Sequence, residues 1–454
     1  MSNQVTSSEL IKVSGSDSGD IDISASDVAT ISKAIGDGEW YANKRLDELK
    51  VYMETPMPTV TDEAWRRTDI RSVEWDKFTH GILDSNNNKD DDDTNVPSHL
   101  LNPLVGDQHG GQIVISGGNV LQQSLDEKAA GDGVVFSDFV TATRDHEEIL
   151  SKYVSKLVTI SDGKHAAMAS ALVDQGIFVY VPANVIVQSP LHSVLWLRGI
   201  THFSKVVVVV EKGASLTYVH ELASGSKESD QLHAGTVEIF IGDGAELKFV
   251  ELQSLSDKCY HFSHEKSQVG RDGRLDWVFS AIGSKLTKSF IDLDLVGAGA
   301  WGRMSGFYFA AGKQHMDHDT QQNHRAEGQT SDLLFKGALR DESRSVWQGM
   351  IHVEPGAQKT DGFQANRNLL LAKGARADSI PGLEIQADDV RCTHAATISR
   401  LEDEHLFYLM SRGIQYEEAR KVIVDGFFDP IMERIPFEGV RKRLKESVVD
   451  KMAK

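Results

Sequence analysis

The segment DDVRCTHAAT, residues 388–397, sets a cysteine and a histidine two positions apart, and Cys392 is one of only two cysteines in the chain. Thiolate and imidazole together suit zinc or an iron-sulfur species. In an extended segment, side chains at i and i+2 share a face, so Val390, Cys392 and His394 line up while Thr393 looks away. The pair is able to address one partner, but two ligands make half a site at most. The competing reading is a small buried thiol beside a satisfied histidine.

Other residues offer different chemistry. HMDHDTQQNH holds His315, His318 and His324, but on a strand His315 and His318 face opposite sides and cannot chelate together. FIDLDL puts Asp292 and Asp294 on one face, a pair of the kind a carbohydrate-active enzyme uses. VGAGAWG contains Gly297, Gly299 and Gly302 in GxGxxG spacing, yet strand-like sequence follows where a dinucleotide site needs a helix. No GxxxxGK[ST] and no GxSxG occurs, so neither ATP hydrolysis by this chain nor a serine hydrolase is indicated.

The elements that must position these residues follow from the changing texture of the chain. Residues 1–100 read as a helical N-terminal region: the first 20 or so are Ser/Gly/Asp-rich and mobile, and from about Ile31 apolar residues recur at helical spacing, with Trp40, Leu46, Leu49 and Tyr52. The run at 84–98, DSNNNKDDDDTNVPS, reads as a solvated loop, because its aspartates repel one another and a calcium-binding EF-hand would need a Gly and a distal Glu that it lacks. Residues 101–156 form a transitional segment. From 157 to 399, short β-branched and aromatic runs such as GIFVYVP, VIVQ, SKVVVVVE, GTVEIFIG and WQGMIHV replace the helical pattern.

The turns between these runs resemble one another. Gly-Ala pairs recur at 213–214, 244–245, 299–300, 337–338, 356–357 and 374–375, with DGRL at Gly273 as a degenerate copy. Glycine suits a corner with positive φ, and alanine suits a crowded stack. The last three pairs lie 19 and 18 residues apart, a spacing that reads as one coil of a solenoid. Asn-Gly hairpin signals are absent from this stretch, so a parallel β-helix fits better than a sandwich. Residues 400–454 return to helical periodicity: Leu401, His405 or Leu406, Leu409 and Met410 form one stripe ending at Gly413, Ala419, Val422 and Ile423 form the next before Gly426, and a basic amphipathic helix ends the chain. Such a helical cap would cover an end of the solenoid.

Composition excludes several classes. With 48 basic and 67 acidic residues the formal charge is −19, which repels nucleic acid and anionic membrane surfaces. The longest apolar run, five valines, is far short of the roughly 20 residues that span a bilayer, and the start lacks the features of a secretory or transit signal. The expectation is a soluble, cytoplasmic protein. Two cysteines provide no disulfide framework.

The C-terminal stretch PGLEIQADDVRCTHAATISRLEDEHLFYLMSRGI, followed by EEARKVIVDGF, resembles the signature of the SufB/SufD family, scaffold components of the SUF iron-sulfur cluster assembly system. The segment SDLLFKGALRDESRSVWQGMIHVEPGAQKTDGFQANRNLLLAKGARADSIP resembles the repeats before that signature, and PMPTVTDEAWRRTDI is similar to the family's N-terminal segment. The similarity covers roughly residues 40–435. Ala375 stands where SufB carries a cysteine implicated in assembly, and HAAT replaces the HEAT of SufB, so both departures point to the SufD branch; Ala395 replaces that branch's commoner glycine.

The resemblance implies a mainly β fold, a right-handed parallel β-helix flanked by helical N- and C-terminal regions. It implies a non-catalytic scaffold that pairs end to end with SufB, or forms a homodimer in its absence. Its C-terminal helices would dock the ATPase SufC, with Phe407, Tyr408 and Arg412 as contact residues of types enriched in interfaces. ATP hydrolysis would belong to SufC. By position His394 matches an interface histidine regarded as a cluster-site residue, and Cys392 a cysteine beside it. The chain alone would hold no stable cofactor, the complex would hold a transient iron-sulfur cluster, and reduced flavin is a further cofactor suggested for the complex. The alternatives are a β-helix lyase or hydrolase and a purely structural solenoid.

Overall fold

Nineteen strands form two sheets wound as a solenoid in the computed structural model, which describes residues 20–79, 96–104, 109–225 and 229–453. The first sheet contains β1 (Gly111–Ser116), β2 (Asn119–Leu125), β5 (Leu191–Leu197), β7 (Ser215–Ser224), β9 (Glu246–Ser254), β11 (Arg274–Ala281), β13 (Trp301–Ala310), β15 (Thr330–Leu339), β17 (Asp361–Leu370) and β19 (Arg391–Arg400). The second contains β3 (Val135–Asp138), β4 (Gln175–Val181), β6 (Thr201–Val210), β8 (Gln231–Ile241), β10 (Cys259–Val269), β12 (Leu286–Leu295), β14 (His315–His324), β16 (Arg344–Val353) and β18 (Arg376–Ile385). From β4 onward strands alternate between sheets, sixteen strands making eight coils, and each pairs in parallel with the strand two places on. Among the described residues only β2 and β3, at the starting end, pair antiparallel, with β1 and β4. β1 lies in the segment read as transitional and already pairs in parallel with β5.

One corner of the coil repeats a left-handed residue. Asn184, Gly213, Gly244, Asp272, Gly299, Gly328 and Lys359 have φ between +52° and +71°, the region where glycine, Asn and Asp are at least cost. Their N–H groups hand one hydrogen bond from coil to coil: Gly213 to Asp243 O (2.9 Å), Gly244 to Arg271 O (2.7 Å), Gly299 to Glu327 O (3.0 Å). Ala214, Ala245 and Ala300, one residue on, are buried where stacked coils leave little room. The Gly-Ala reading holds at these three positions. The coil length read from the later pairs does not hold, because Gly337 and Ala338 lie inside β15. Successive corners are 31 residues apart from Gly213 to Gly244 and 27 from Asp272 to Gly299, since each coil carries two strands.

The helices cover outer faces. Helices α1 (Ala25–Ile35) and α2 (Glu39–Glu54) sit with α3 (Lys164–Leu172) against the second sheet, and the aromatic cluster Trp65, His165 and Phe262 stacks between them, with His165 and Phe262 centroids 4.2 Å apart. Helix α3 interrupts the stretch read as all β. Every residue in it is buried, so it has no polar face to signal its period.

At the other end of the chain come α4 (Asp403–Ser411), α5 (Tyr416–Met432) and α6 (Glu438–Ala453). Val424, Phe428, Ile431, Met432, Val440, Leu444 and Val448 pack on the outer face of the first sheet, against Val250, Val278, Phe307 and Leu334. Two details differ from the sequence reading. Helix α5 continues through Gly426 and Pro430, and Val422 is exposed while Val424 is buried, because burial follows the sheet rather than the apolar stripe. The helices thus flank the solenoid rather than covering its end. The aspartate run falls, through residue 95, outside the described residues, as does the Ser/Gly-rich start. Among the described residues no helix is long and apolar enough to cross a membrane.

Inside the solenoid, neighbouring coils must fit each other's side chains. A Cβ on Gly337 would lie 2.0 Å from Cε2 of Tyr308, which is fully buried. Gly337→Ala should therefore lower stability by about 1–3 kcal/mol, read as a drop in Tm, whereas Gly328→Ala, with open space around it, should act only through its backbone.

Candidate functional site

Among the described residues nothing pairs with the outer edges of the last coil. β18 and β19 are there the outermost strands of their sheets, each with a neighbour on one side only. Parallel register carries the lumen face of one coil to the next, so the lumen-facing positions of β17, Gly362, Gln364, Asn366 and Asn368, continue in β19 as Cys392, His394, Ala396 and Ile398. In β18 the same face carries Ser379, Pro381, Leu383 and Ile385 above Trp347, Gly349, Ile351 and Val353. Residues that would be core in an interior coil here meet solvent: Ile398 is 46 % exposed, Ile385 41 % and Leu383 37 %.

Cys392 and His394 share this face, as an extended segment requires, but their surroundings differ. The thiol packs partly into a cluster with Ile351, Val353, Ala357 and Ala387, and Gly362 below it leaves the room, since a Cβ there would sit 3.3 Å from the sulfur. Burial pushes the Cys392 thiol above its ordinary pKa, which keeps it protonated. His394 is exposed at the mouth of the lumen, one coil above Gln364. Gln364 is fully buried, and its side-chain amide donates across the lumen to the carbonyl of Gly382 (2.8 Å). Among the described residues no three His, Cys, Asp or Glu side chains gather closely enough to hold a metal ion.

Below the mouth, the lumen carries polar pairs that period-two reasoning did not isolate. Ser204 and His233 are linked at 2.9 Å, and His233 and His261 Nδ1 to Nδ1 at 2.8 Å. Asn366 bonds the Tyr308 hydroxyl (3.2 Å) and accepts from Ser379 (2.8 Å). Glu251 and Glu265 face each other from β9 and β10, both fully buried; Ser263 donates to Glu265 at 2.7 Å. Desolvation raises both carboxyls, Glu265 to about 7, and the charge of Glu265 raises Glu251 further. Strands such as CYHFSHEKSQV hid these residues because both of their faces are buried, so polar and apolar positions alternate without marking solvent.

The remaining candidates are dispersed. His315 lies outside the solenoid and bonds Thr68 Oγ1 at 2.8 Å, whereas His318 is in the lumen and His324 bonds Ser331 there at 2.9 Å. Asp292 and Asp294 share an outer face, as FIDLDL implied. Asp292 pairs with Lys266 (3.5 Å) and Asp294 with Arg325 (3.1 Å), so each is occupied by a cation rather than aimed at a groove. Burial raises Asp292 to about 6 against the pull of Lys266. Gly299 of the GxGxxG run is a solenoid corner leading into β13.

On α4, Phe407 is 74 % exposed and Tyr408 57 %, with the Arg412 guanidinium 5.3 Å from the Tyr408 ring centre. Met410, Tyr416 and Val422 extend the same exposure, and Leu406 is the buried anchor of α4.

The chain is thus a two-sheet solenoid flanked by helices, with exposed aromatic residues on α4. Two family models match it: the SUF system FeS cluster assembly SufBD core domain over residues 197–427, and the SufBD protein N-terminal region over residues 36–192. The chain belongs to the SufBD family and is a component of the SUF system of iron-sulfur cluster assembly. It is 29 % identical over 424 residues to an iron-sulfur cluster assembly SufBD family protein of Staphylococcus saprophyticus, and 28 % identical to family proteins so described in Staphylococcus epidermidis and Staphylococcus aureus; each match covers 90 % of this chain and 89 % of the relative.

The carboxyl pair in the lumen makes stability depend on pH. Glu265 has an ordinary value of 4.5 and titrates at about 7 when folded, so between these values the unfolded chain releases a proton that the native state keeps, and stability falls as pH rises through that window. Glu265→Gln keeps the hydrogen-bonding shape without the ionisation. Thermal unfolding should show equal Tm values near pH 4, below the unfolded pKa, and a Tm higher by roughly 5 °C for the variant at pH 8.

Proposed function

We propose that this chain is the SufD-like scaffold of a SufB–SufC–SufD complex, in which an iron-sulfur cluster is assembled as cargo where the open end of this solenoid meets SufB. The observation that carries the reading is the uncovered last coil, with His394 on its lumen face among exposed Leu383, Ile385 and Ile398. Two unpaired strand edges and an apolar lumen mouth favour continuation by another sheet. One imidazole and one partly buried thiol fall short of a cluster's coordination, so the partner supplies the remaining ligands. His394 acts as the ligand on this side; Cys392, held in its aliphatic cluster, is mainly packing. Reduced flavin would be bound by the assembled complex. Ala375, in the corner before β18, supports the SufD assignment over SufB.

SufC docks on α4 and the first half of α5. Exposed Phe407 and Tyr408, with Arg412 stacked beside them, have the composition of an interface centre. Deleting residues 400–454 would strip the buried face of α5 and α6 from the first sheet, so point changes are the cleaner test.

His394→Ala should leave Tm and SufB pairing unchanged and lower the rate of cluster formation on the purified three-protein complex at least tenfold, followed by visible absorbance. A normal rate would refute the ligand role, and a parallel loss of Tm would make the histidine structural. Cys392→Ser should reduce the rate less than His394→Ala; an equal loss makes the thiol a ligand.

Phe407→Asp combined with Tyr408→Ala should weaken SufC binding by about 3 kcal/mol or more in calorimetry, without change in the circular dichroism of the sheets. Undiminished binding would remove α4 from the dock.

A further inference from the structure

Helix α5 is one element by its backbone but two by attachment. Its second half is fixed to the solenoid: the Phe428 ring lies 4.2 Å from that of Phe307, Ile431 and Met432 are buried, and Arg434 just beyond donates to Ser305 Oγ (3.0 Å) and pairs with Asp332 (3.2 Å). Its first half, with α4, is anchored by few side chains, Leu406, Ala419 and Val424, and leaves five large apolar residues exposed. The chain between the halves is weak as a helix. Pro430 has no N–H, so the carbonyl of Gly426 loses its donor four residues on. Gly426 itself has nothing within 4 Å of where a Cβ would stand, and glycine there softens the turn.

A lysine from the sheet reaches this spot. Lys336 of β15 donates to the carbonyl oxygen of Phe427 at 2.5 Å, and its ammonium lies 4.7 Å from the Phe427 ring centre. Burial lowers it to about 8, with Arg367 and Arg434 acting in the same direction and Asp429 opposing. At its other end, α4 joins β19 through Leu401 and Glu402 alone, and β19 is held on one side only.

We infer that residues 426–430 are a hinge latched by Lys336, about which α4 and the first half of α5 swing against the solenoid, and that the two-residue link passes this swing to edge strand β19. A displacement at the exposed aromatic face would thereby move the strand that carries Cys392 and His394. The hinge and latch stand on the contacts above; their use in assembly rests on the reading that α4 docks the ATPase.

Hydrogen exchange of the full-length chain tests the device itself. Lys336→Met should speed exchange across residues 403–425 roughly tenfold, the loss of one charge-assisted hydrogen bond, and leave α6, β13 and β15 unchanged. Pro430→Ala restores the missing donor and should slow exchange at 426–430. If Lys336→Met leaves 403–425 unchanged, or speeds α6 equally, Lys336 is a general staple and the hinge is overturned. Spin labels at Thr397→Cys in β19 and Ser254→Cys in β9, in the complex with SufC, test the coupling: ATP should change their separation in the parent chain and change it less in the Pro430→Ala chain. A complex that forms but shows no ATP-dependent change in the parent overturns the coupling. Should SufC fail to bind at all, the docking assignment falls, while the exchange data still decide the hinge.

Discussion

In-register parallel stacking governs this molecule. Each strand finds its hydrogen-bonding partners in the coil before and the coil after, so every coil satisfies its predecessor and leaves its own outer edge unsatisfied. The left-handed corner residues keep the register by passing one backbone bond along the stack. At the starting end, β2 and β3 turn back antiparallel and break the pattern. At the finishing end nothing among the described residues does so, and the final coil presents its lumen face and both strand edges outward.

The same rule explains why His394 lies where it does. Register with Gln364 fixes it to the lumen side, and only the absence of a further coil makes it accessible. An identical residue one coil earlier would be buried like Gln364 or Asn366. Reactivity here comes from position along the stack as much as from residue type. Cys392 illustrates the contrast, since a two-residue step along the strand takes it back among Ile351 and Val353.

The face shared by Cys392 and His394 was legible from spacing alone, and so were the corners at Gly213, Gly244 and Gly299, because positive φ and tight stacking leave a compositional trace. The coil length was not. Gly337–Ala338 has the same letters as a corner, but Gly337 is small because the Tyr308 ring lies against it, a contact between coils that local sequence does not encode. The buried helix α3 and the lumen carboxyls were hidden for a related reason: where every face is buried, periodicity carries no contrast. Continuation of α5 through Gly426 and Pro430 was missed because both are local helix breakers, and packing of Phe428 and Ile431 on the sheet overrides them. Assignment to a family came from longer segments, which carry information that no single motif in this chain holds.

Helices α5 and α6 run across the outer face of the first sheet. Their buried side chains belong to one cluster that includes Val219 of β7 and Leu369 of β17, and Arg443 of α6 pairs with Glu221 at 2.7 Å while Arg340, the residue after β15, donates to the carbonyl of Met452 at 3.0 Å. A bare solenoid is a one-dimensional array in which each coil touches only its neighbours, so an open end would fray one coil at a time. A splint laid along six coils ties distant repeats to each other. Unzipping from the exposed end must then detach the helices as well, which turns gradual fraying into a cooperative event and lets the mouth of the lumen stay open to a partner without peeling apart.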